Sequence, residues 1–236
     1  MHLLIVRHAE SVGNREYRIQ GRYDYPLSEQ GVEQAHALGQ SLTDESWKPT
    51  HIYTSPLQRA VHTTAILRDY WATRDTVVTP ISNPNLQEIK NGVLEGLTWP
   101  EAQLQHPQLC ETLTNASSWV PIPGAESLKA IRDRAQLVVQ SWLMEHHNED
   151  KLWVVSHGGF MQYLLAALLG SDRVWGISMP PTATFEFELD LSQWDITDQQ
   201  NPFNPLLWKI KRFNDTQHLT PIDLEQDYYP GDCLVQ

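Results

Sequence analysis

Two short apolar runs in this chain each end on a histidine. Leu3-Leu4-Ile5-Val6 leads into Arg7-His8-Ala9-Glu10-Ser11, and Leu152-Trp153-Val154-Val155 leads into Ser156-His157-Gly158-Gly159. A third segment, Ile52-Tyr53-Thr54-Ser55-Pro56-Leu57-Gln58-Arg59-Ala60, passes from a strand-like run into a helical one that carries an arginine in its first turns. Taken singly, an Arg-His pair after a strand can be no more than the point where the chain meets water. If the three runs are parallel neighbours in one sheet, their loops open on one edge, and ligands of α/β proteins bind beyond the carboxyl ends of strands. Two imidazoles and two guanidiniums would then share one crevice. Guanidinium donors match phosphate oxygens in bidentate fashion. Of the four groups only a histidine can act as a nucleophile near neutral pH. The chemistry this grouping suits is transfer of a dianionic phosphoryl group.

The elements that would position these groups can be read from periodicity. Asn14 to Asp24 is a polar, aromatic and Arg-rich loop, and Pro26-Leu27-Ser28 sets up a helix with Ser28 as its N-cap. Val32, Ala35, Leu38 and Leu42 recur at helical spacing through Thr43. A second strand is expected over Thr50–Thr54, followed by a helix that Ser55-Pro56 opens, and a third over Thr76–Thr79, ended by Pro80. Glu88 lies between Leu86 and Ile89, an apolar setting that suits a carboxyl asked to carry a proton. From Gly124-Ala125-Glu126-Ser127 a long helix buries Leu128, Ile131, Ala135, Val138, Val139 and Trp142 on one face. His146 and His147 at its end read as a dipole-complementing cap rather than as metal ligands, and His36 and His62 as ordinary helix residues. Lys151–Ser156 is the fourth strand, and Gly159–Leu169 the helix behind it. Thr184–Leu189 and Leu206–Phe213 alternate with period two and are expected as edge strands, separated by a polar stretch from Asp195 to Pro205.

Composition narrows the class further. A chain of 236 residues with 41% hydrophobic residues can build one large core. The formal net charge of −12 repels nucleic acid and anionic membranes at long range, so neither is expected as a partner. It also means that an approaching phosphate ester needs a local basic pocket, which falls to Arg7 and Arg59. Cys110 and Cys233 make no disulfide framework. Met1-His2 leads straight into the first strand with no basic region ahead of a long apolar segment. Both observations point to a cytoplasmic protein. The most apolar stretch, Met161–Leu169, is too short to span a bilayer.

Five motifs occur in a telling order: Arg7-His8-Ala9-Glu10 with Asn14; Pro26-Leu27-Ser28-Glu29-Gln30-Gly31; Ser55-Pro56-Leu57-Gln58-Arg59-Ala60; Leu86-Gln87-Glu88-Ile89 with Gly92 and Glu95-Gly96; and Ser156-His157-Gly158-Gly159. Together they resemble the histidine phosphatase superfamily, the phosphoglycerate mutase-like proteins. The resemblance runs from residue 2 to about His218 and is weakest between Thr98 and Val120. It implies an α/β fold in three α/β/α layers around a mostly parallel central sheet. One domain would cover residues 1–220, with a variable lid-like insertion at about 98–123 and an acidic tail at 221–236. It also implies a phosphomonoesterase acting on a small phosphorylated metabolite without metal or other cofactor, through a phosphohistidine, and it is compatible with a homodimer. Carried over residue by residue, His8 is the nucleophile and Glu88 the proton donor. Arg7, Asn14, Arg59, His157 and the Gly158 amide hold the phosphoryl oxygens. Gln20 and Gly21 approach the substrate end of the pocket, where Trp119 and Val120 are candidate walls.

Ala9 departs from the family pattern, in which glycine most often follows the nucleophilic histidine. A methyl group there costs room and excludes dihedrals that glycine visits freely. Two other readings stand beside the phosphatase. A mutase would pass the phosphoryl group to a second hydroxyl and needs cations for a substrate carboxylate, yet no Arg or Lys lies between Thr98 and Pro123. A non-catalytic phosphate-binding module has no need for a nucleophile and an acid together.

Overall fold

Each of the two strands that lead into His8 and His157 is apolar through its four central positions because it is covered on both faces. The computed structural model describes residues 1–43, 47–71, 78–194 and 206–220. In it, β1 (His2–Arg7) and β4 (Lys151–Ser156) lie side by side and parallel. Successive side chains of a strand point to opposite faces. Leu3, Ile5, Leu152 and Val154 therefore pack into one hydrophobic layer, and Leu4, Val6, Trp153 and Val155 into another. The first layer is closed by α6 (Leu128–Glu145) and α7 (Gly158–Leu168). The second is closed by α2 (Glu29–Thr43) and α3 (Gln58–Asp69).

The six-stranded sheet adds β2 (His51–Thr54), β3 (Ile81–Ser82), β5 (Thr184–Leu189) and β6 (Trp208–Asp215), in the order β3-β2-β4-β1-β5-β6. The four strands from β3 to β1 are parallel, β5 pairs antiparallel with β1, and β6 pairs antiparallel with β5. This is the three-layer, mostly parallel architecture expected. The carboxyl ends of β2, β4 and β1 are adjacent, which places Ser55, His157 and His8 on one edge.

Local details differ from the sequence expectation. The third strand follows Pro80 instead of preceding it: Val78 and Thr79 are unpaired, and pairing with Tyr53 and Thr54 starts at Ile81. Proline cannot donate to a ladder, so the strand begins beyond it. Thr76 and Val77 lie outside the described residues. The helix after β2 starts at Gln58, not at Pro56, and takes its first donor's partner from a distant loop, since Gln58 N–H donates to Asp24 Oδ1 at 2.7 Å. Strand β5 is interior, not an edge, because β6 pairs on its far side. Its polar face is also covered: Glu186 is buried, accepts from Trp47 Nε1 at 3.2 Å and pairs with Arg212 at 3.0 Å. The segments 195–205 and 221–236 expected as a polar connector and an acidic tail lie outside the described residues.

The weakly matching stretch forms two short helices, α4 (Trp99–Gln105) and α5 (Pro107–Asn115), after α1 (Val12–Arg15) and α2 in chain order. Thr98 and Glu101 make a reciprocal capping box at the start of α4. Ala102, Cys110 and Leu113 form a small core of their own with Ile19 and Leu94. Among the described residues no helix is long and apolar enough to cross a membrane.

The double coverage of β1 makes a direct expectation. Leu3→Ala and Leu4→Ala remove buried side chains from opposite layers, so each should cost about 2–5 kcal/mol in urea unfolding. A loss confined to one of them would mean that only one layer is tightly packed.

Candidate active site

The loop after β1 turns at once under helix α2. Ser28 Oγ accepts the Gly31 amide at 2.9 Å and caps that helix. A Cβ on Gly31 would sit 1.9 Å from the Glu10 carbonyl oxygen, so only glycine allows this approach. Glu10 is buried, with its carboxylate hydrogen-bonded to the Ser28 hydroxyl. The turn thereby fixes His8, which is 3% exposed.

His8 Nδ1 lies 2.7 Å from the Ala9 carbonyl oxygen. A carbonyl can only accept, so Nδ1 carries the proton and Nε2 presents its lone pair. Arg59, 1% exposed, meets that lone pair: its Nε–H is shared between His8 Nε2 and His157 Nδ1, each at 3.2 Å. The same logic makes Nε2 the protonated nitrogen of His157, and it donates to Ser55 Oγ at 2.7 Å. The terminal nitrogens of Arg59 donate to the carbonyls of Tyr23 and Gly21 at 2.8 Å each. Gly21, expected at the substrate end, thus holds Arg59 through its backbone. Burial first, then the Arg59 and Arg7 charges, hold His8 well below the usual imidazole range. Burial, then Arg59 and His8, do the same for His157. Burial also pulls Arg59 down to about 10, which leaves it charged at neutral pH.

Arg7 donates to the Met179 carbonyl, and its side chain runs over the first residue of α7, where a Cβ on Gly158 would be 3.4 Å from Arg7 Nε. Asn14 Oδ1 accepts from the Ser11 amide at 3.1 Å. Gln20 Oε1 accepts from the Ser11 hydroxyl at 2.6 Å. Ala9 is fully buried, its amide donates to Thr63 Oγ1 at 3.0 Å, and its φ is not positive. The methyl group that breaks the family pattern sits in a small apolar cluster with Leu27, Ala35 and Ile66.

Glu88 stands apart from its expected apolar setting. Its Oε1 accepts from the Ile89 and Phe160 amides at 2.9 and 2.7 Å, and its Oε2 from the Gly159 amide at 3.1 Å. The carboxylate therefore occupies the positive end of α7, the place where an 11-residue helix favours an anion. A Cβ on Gly159 would lie 2.8 Å from Glu88 Oε1, which explains the second glycine of the pair.

What holds Glu88 was not legible in the sequence. Arg134, from the middle of α6, donates to the carbonyls of Asn85 and Gln87 at 2.8 and 2.7 Å and grips Glu126 with two bonds of 2.8 Å. Its guanidinium lies 3.9 Å from the centre of the Phe160 ring. Arg22 joins from the other side, donating to the Glu88 carbonyl at 3.3 Å and to Glu126 at 3.2 Å. Burial alone would raise the Glu126 carboxyl, but the Arg134 and Arg22 contacts hold it below the usual range. Glu126 precedes the N-cap Ser127, and Arg134 lies on α6 eight residues beyond it, so no helical periodicity in the sequence links the two. Glu95 accepts the amides of Arg22 and Asn91 at 2.9 Å each and so braces the loop. Of the candidate walls, Trp119 packs partly against the large core, and Val120 against the small core of α4 and α5. His36 and His62 are exposed, as expected.

The arrangement can therefore offer a neutral imidazole lone pair, two guanidiniums, a second imidazole and a carboxylate around one crevice. A family model described as "Histidine phosphatase superfamily (branch 1)" matches residues 3–202. A protein of Yersinia pestis described as a probable phosphoglycerate mutase is 31% identical over 222 residues, covering 93% of this chain and 95% of its own length. Among solved structures, Bacillus stearothermophilus YhfR superposes with a TM-score of 0.73 at 28% identity, covering 92% of this chain and 98% of that one. A putative alpha-ribazole-5'-P phosphatase from Escherichia coli shares the fold with a TM-score of 0.74 at 21% identity, covering 91% and 96%.

Two neutral buried imidazoles make stability sensitive to acid. In the unfolded chain a histidine takes its proton near pH 6.5, whereas folded His8 and His157 do so only well below that. Between those values the unfolded state binds more protons, so the contribution is complete above pH 6.5 and is lost as pH falls through it. Each group should remove up to about 1.4 kcal/mol per pH unit. Melting temperatures from pH 7.5 to 5 should fall, and the slope should flatten in a His8→Asn, His157→Gln double variant. An unchanged slope would trace the acid sensitivity to other groups.

Proposed function

The chain belongs to the histidine phosphatase superfamily, and from that premise we propose that it is a phosphomonoesterase acting on small phosphorylated metabolites in two steps through His8. The observation that carries the proposal is the tautomer of His8. Its Nδ1 proton is committed to the Ala9 carbonyl, so Nε2 is a nucleophile at neutral pH without a separate base.

In the first step the Nε2 lone pair leaves the Arg59 N–H and attacks phosphorus. The phosphorus–oxygen ester bond breaks opposite, its electron pair goes to the leaving oxygen, and Glu88, which enters this step protonated, gives its proton to that oxygen and becomes a carboxylate. The products are an alcohol and N-phosphorylated His8. In the second step water attacks phosphorus and gives a proton to Glu88, the nitrogen–phosphorus bond breaks, and His8 regains its lone pair. Arg7, Arg59, His157, the Gly158 amide and the Asn14 side-chain amide meet charge that spreads over the non-bridging oxygens. With two guanidiniums in that role, the scheme routes no step through a metal. Gln20, Gly21, Trp119 and Val120 lie on the leaving-group side, with residues 98–123 as the element that selects it. Relatives named as probable phosphoglycerate mutases keep phosphoryl transfer to a second hydroxyl as the competing reading. The lack of any Arg or Lys between Thr98 and Pro123 favours water as the acceptor.

Turnover in excess chelator, stopped with denaturant at alkaline pH, should trap an acid-labile, alkali-stable phosphate on His8, and His8→Ala should abolish both the label and turnover while the protein stays folded. Label on another residue, or dependence on added metal, would sink the scheme. Release of inorganic phosphate, rather than an isomerised phosphoglycerate, separates hydrolysis from mutase action.

The leaving group should expose Glu88. An alkoxide needs a proton as it departs, whereas p-nitrophenolate leaves with little help. Glu88→Gln should therefore lower kcat/KM by about 10²–10⁴ for a sugar or glycerol phosphate, and much less for p-nitrophenyl phosphate. Equal losses on both esters would assign the proton to another group.

A further inference from the structure

The opposite edge of the sheet carries a second cluster of imidazole and carboxylate groups that phosphoryl chemistry does not use. His51 opens β2, His146 follows the last turn of α6, and Asp150 immediately precedes β4. One ligand atom from each of the three lies within 4.8 Å of the others. Both imidazoles converge on a single carboxylate: His146 Nδ1 is 3.1 Å from Asp150 Oδ2, and His51 Nδ1 is 3.9 Å from Asp150 Oδ1. The two rings meet edge-on with centroids 4.6 Å apart.

From this geometry we propose that His51, His146 and Asp150 form a binding site for one zinc-class divalent cation, with water completing the coordination. Zinc bonds of about 2.0–2.2 Å in a tetrahedron place neighbouring ligand atoms roughly 3.3–3.6 Å apart. The two contacts to Asp150 bracket that separation. The outer contacts also suit ligation. His146 Nε2 is 2.9 Å from the Tyr53 hydroxyl, which can accept its proton and turn Nδ1 toward the ion. The His147 amide donates to Asp150 Oδ2 at 2.9 Å and orients the carboxylate. His146 is buried, whereas the side chains of His51 and Asp150 are 36% and 21% exposed, so the site has an entry path and room for water. Two imidazole nitrogens favour zinc, nickel or copper over magnesium or calcium, which take oxygen ligands.

Without an ion, His146 Nδ1–H donates to Asp150 and His51 Nδ1 meets the Thr50 hydroxyl at 2.8 Å; the bound cation takes the place of both contacts. The site lies about 20 Å from His157 along β4, so its role is to tie the end of α6 to the starts of β2 and β4 and not to take part in the reaction.

The experiment is a zinc titration of the chelator-treated full chain by calorimetry, beside a thermal melt. The expected result is one equivalent bound outside the phosphoryl site, with a melting temperature that rises with zinc and not with magnesium. His51→Gln, at a partly exposed position that leaves the core intact, should weaken binding at least tenfold and remove the zinc-dependent rise. Tyr53→Phe should weaken it by about 10–100-fold if the hydroxyl orients His146. No binding to the wild type, or equal binding by the wild type and His51→Gln, would overturn the proposal. The second outcome would locate the zinc among other groups, such as His8 and His157.

Discussion

The structure turns on a buried guanidinium shared by two imidazoles. Arg59 is almost wholly withdrawn from water, and one N–H reaches both His8 and His157. A buried charge of this kind is costly unless its donors are satisfied. Here the carbonyls of Gly21 and Tyr23 and two imidazole lone pairs supply the acceptors. Burial, and then the same cation, keep both rings neutral, so the group proposed to clamp a phosphoryl oxygen also keeps the proposed nucleophile available. Three strand ends must converge on one point for this to happen, which is the constraint the sheet order satisfies.

The proposed proton donor is held on the opposite principle. Glu88 is an anion-forming group placed at the positive end of α7, with three backbone amides fixing both oxygens. The loop that carries it has little regular structure of its own, only short 3₁₀ turns at Pro84–Leu86 and Gly92–Leu94. Its rigidity comes from Arg134 and Arg22 closing on Glu126, a buried network in which each carbonyl and carboxylate finds a donor. Arg134 touches the Glu88 loop and the Phe160 ring of α7 at once, so the two elements that define the carboxylate's position are held by one side chain. These local cations stand within a chain of net charge −12, which confines attraction for a phosphate ester to the crevice itself.

The two ends of the parallel strands thus have different characters. At the carboxyl ends the polar groups face a crevice and are held by loops and helix starts. At the amino ends His51, His146 and Asp150 are drawn together by the packing of α6 against the sheet. The small core beneath α4 and α5 holds them to Ile19 and Leu94, so this segment is packed to the loop after β1 and not merely tethered at its ends.

The sequence by itself determined the strands and helices that bracket the site, because burial on both faces demands unbroken apolar runs and a one-sided helix demands a 3.6-residue period. It also marked His8, Arg59 and His157 as groups that strand ends would deliver. Three-dimensional structure decided what composition cannot encode. Pairing, not local preference, set the third strand after Pro80 and placed β5 inside the sheet, because ladder register depends on a distant partner. It turned the apolar setting read around Glu88 into a nest of backbone amides, since those donors come from residues 159 and 160. It assigned the proton of each imidazole, recruited Arg134 and Glu126 to the Glu88 loop, and drew the side chain of His146, the C-cap of α6, inward to Tyr53 and Asp150. For the third strand, for β5, for Glu88 and for the contact of His146 with Tyr53, the deciding partner lies tens of residues away along the chain, where periodicity and spacing carry no information.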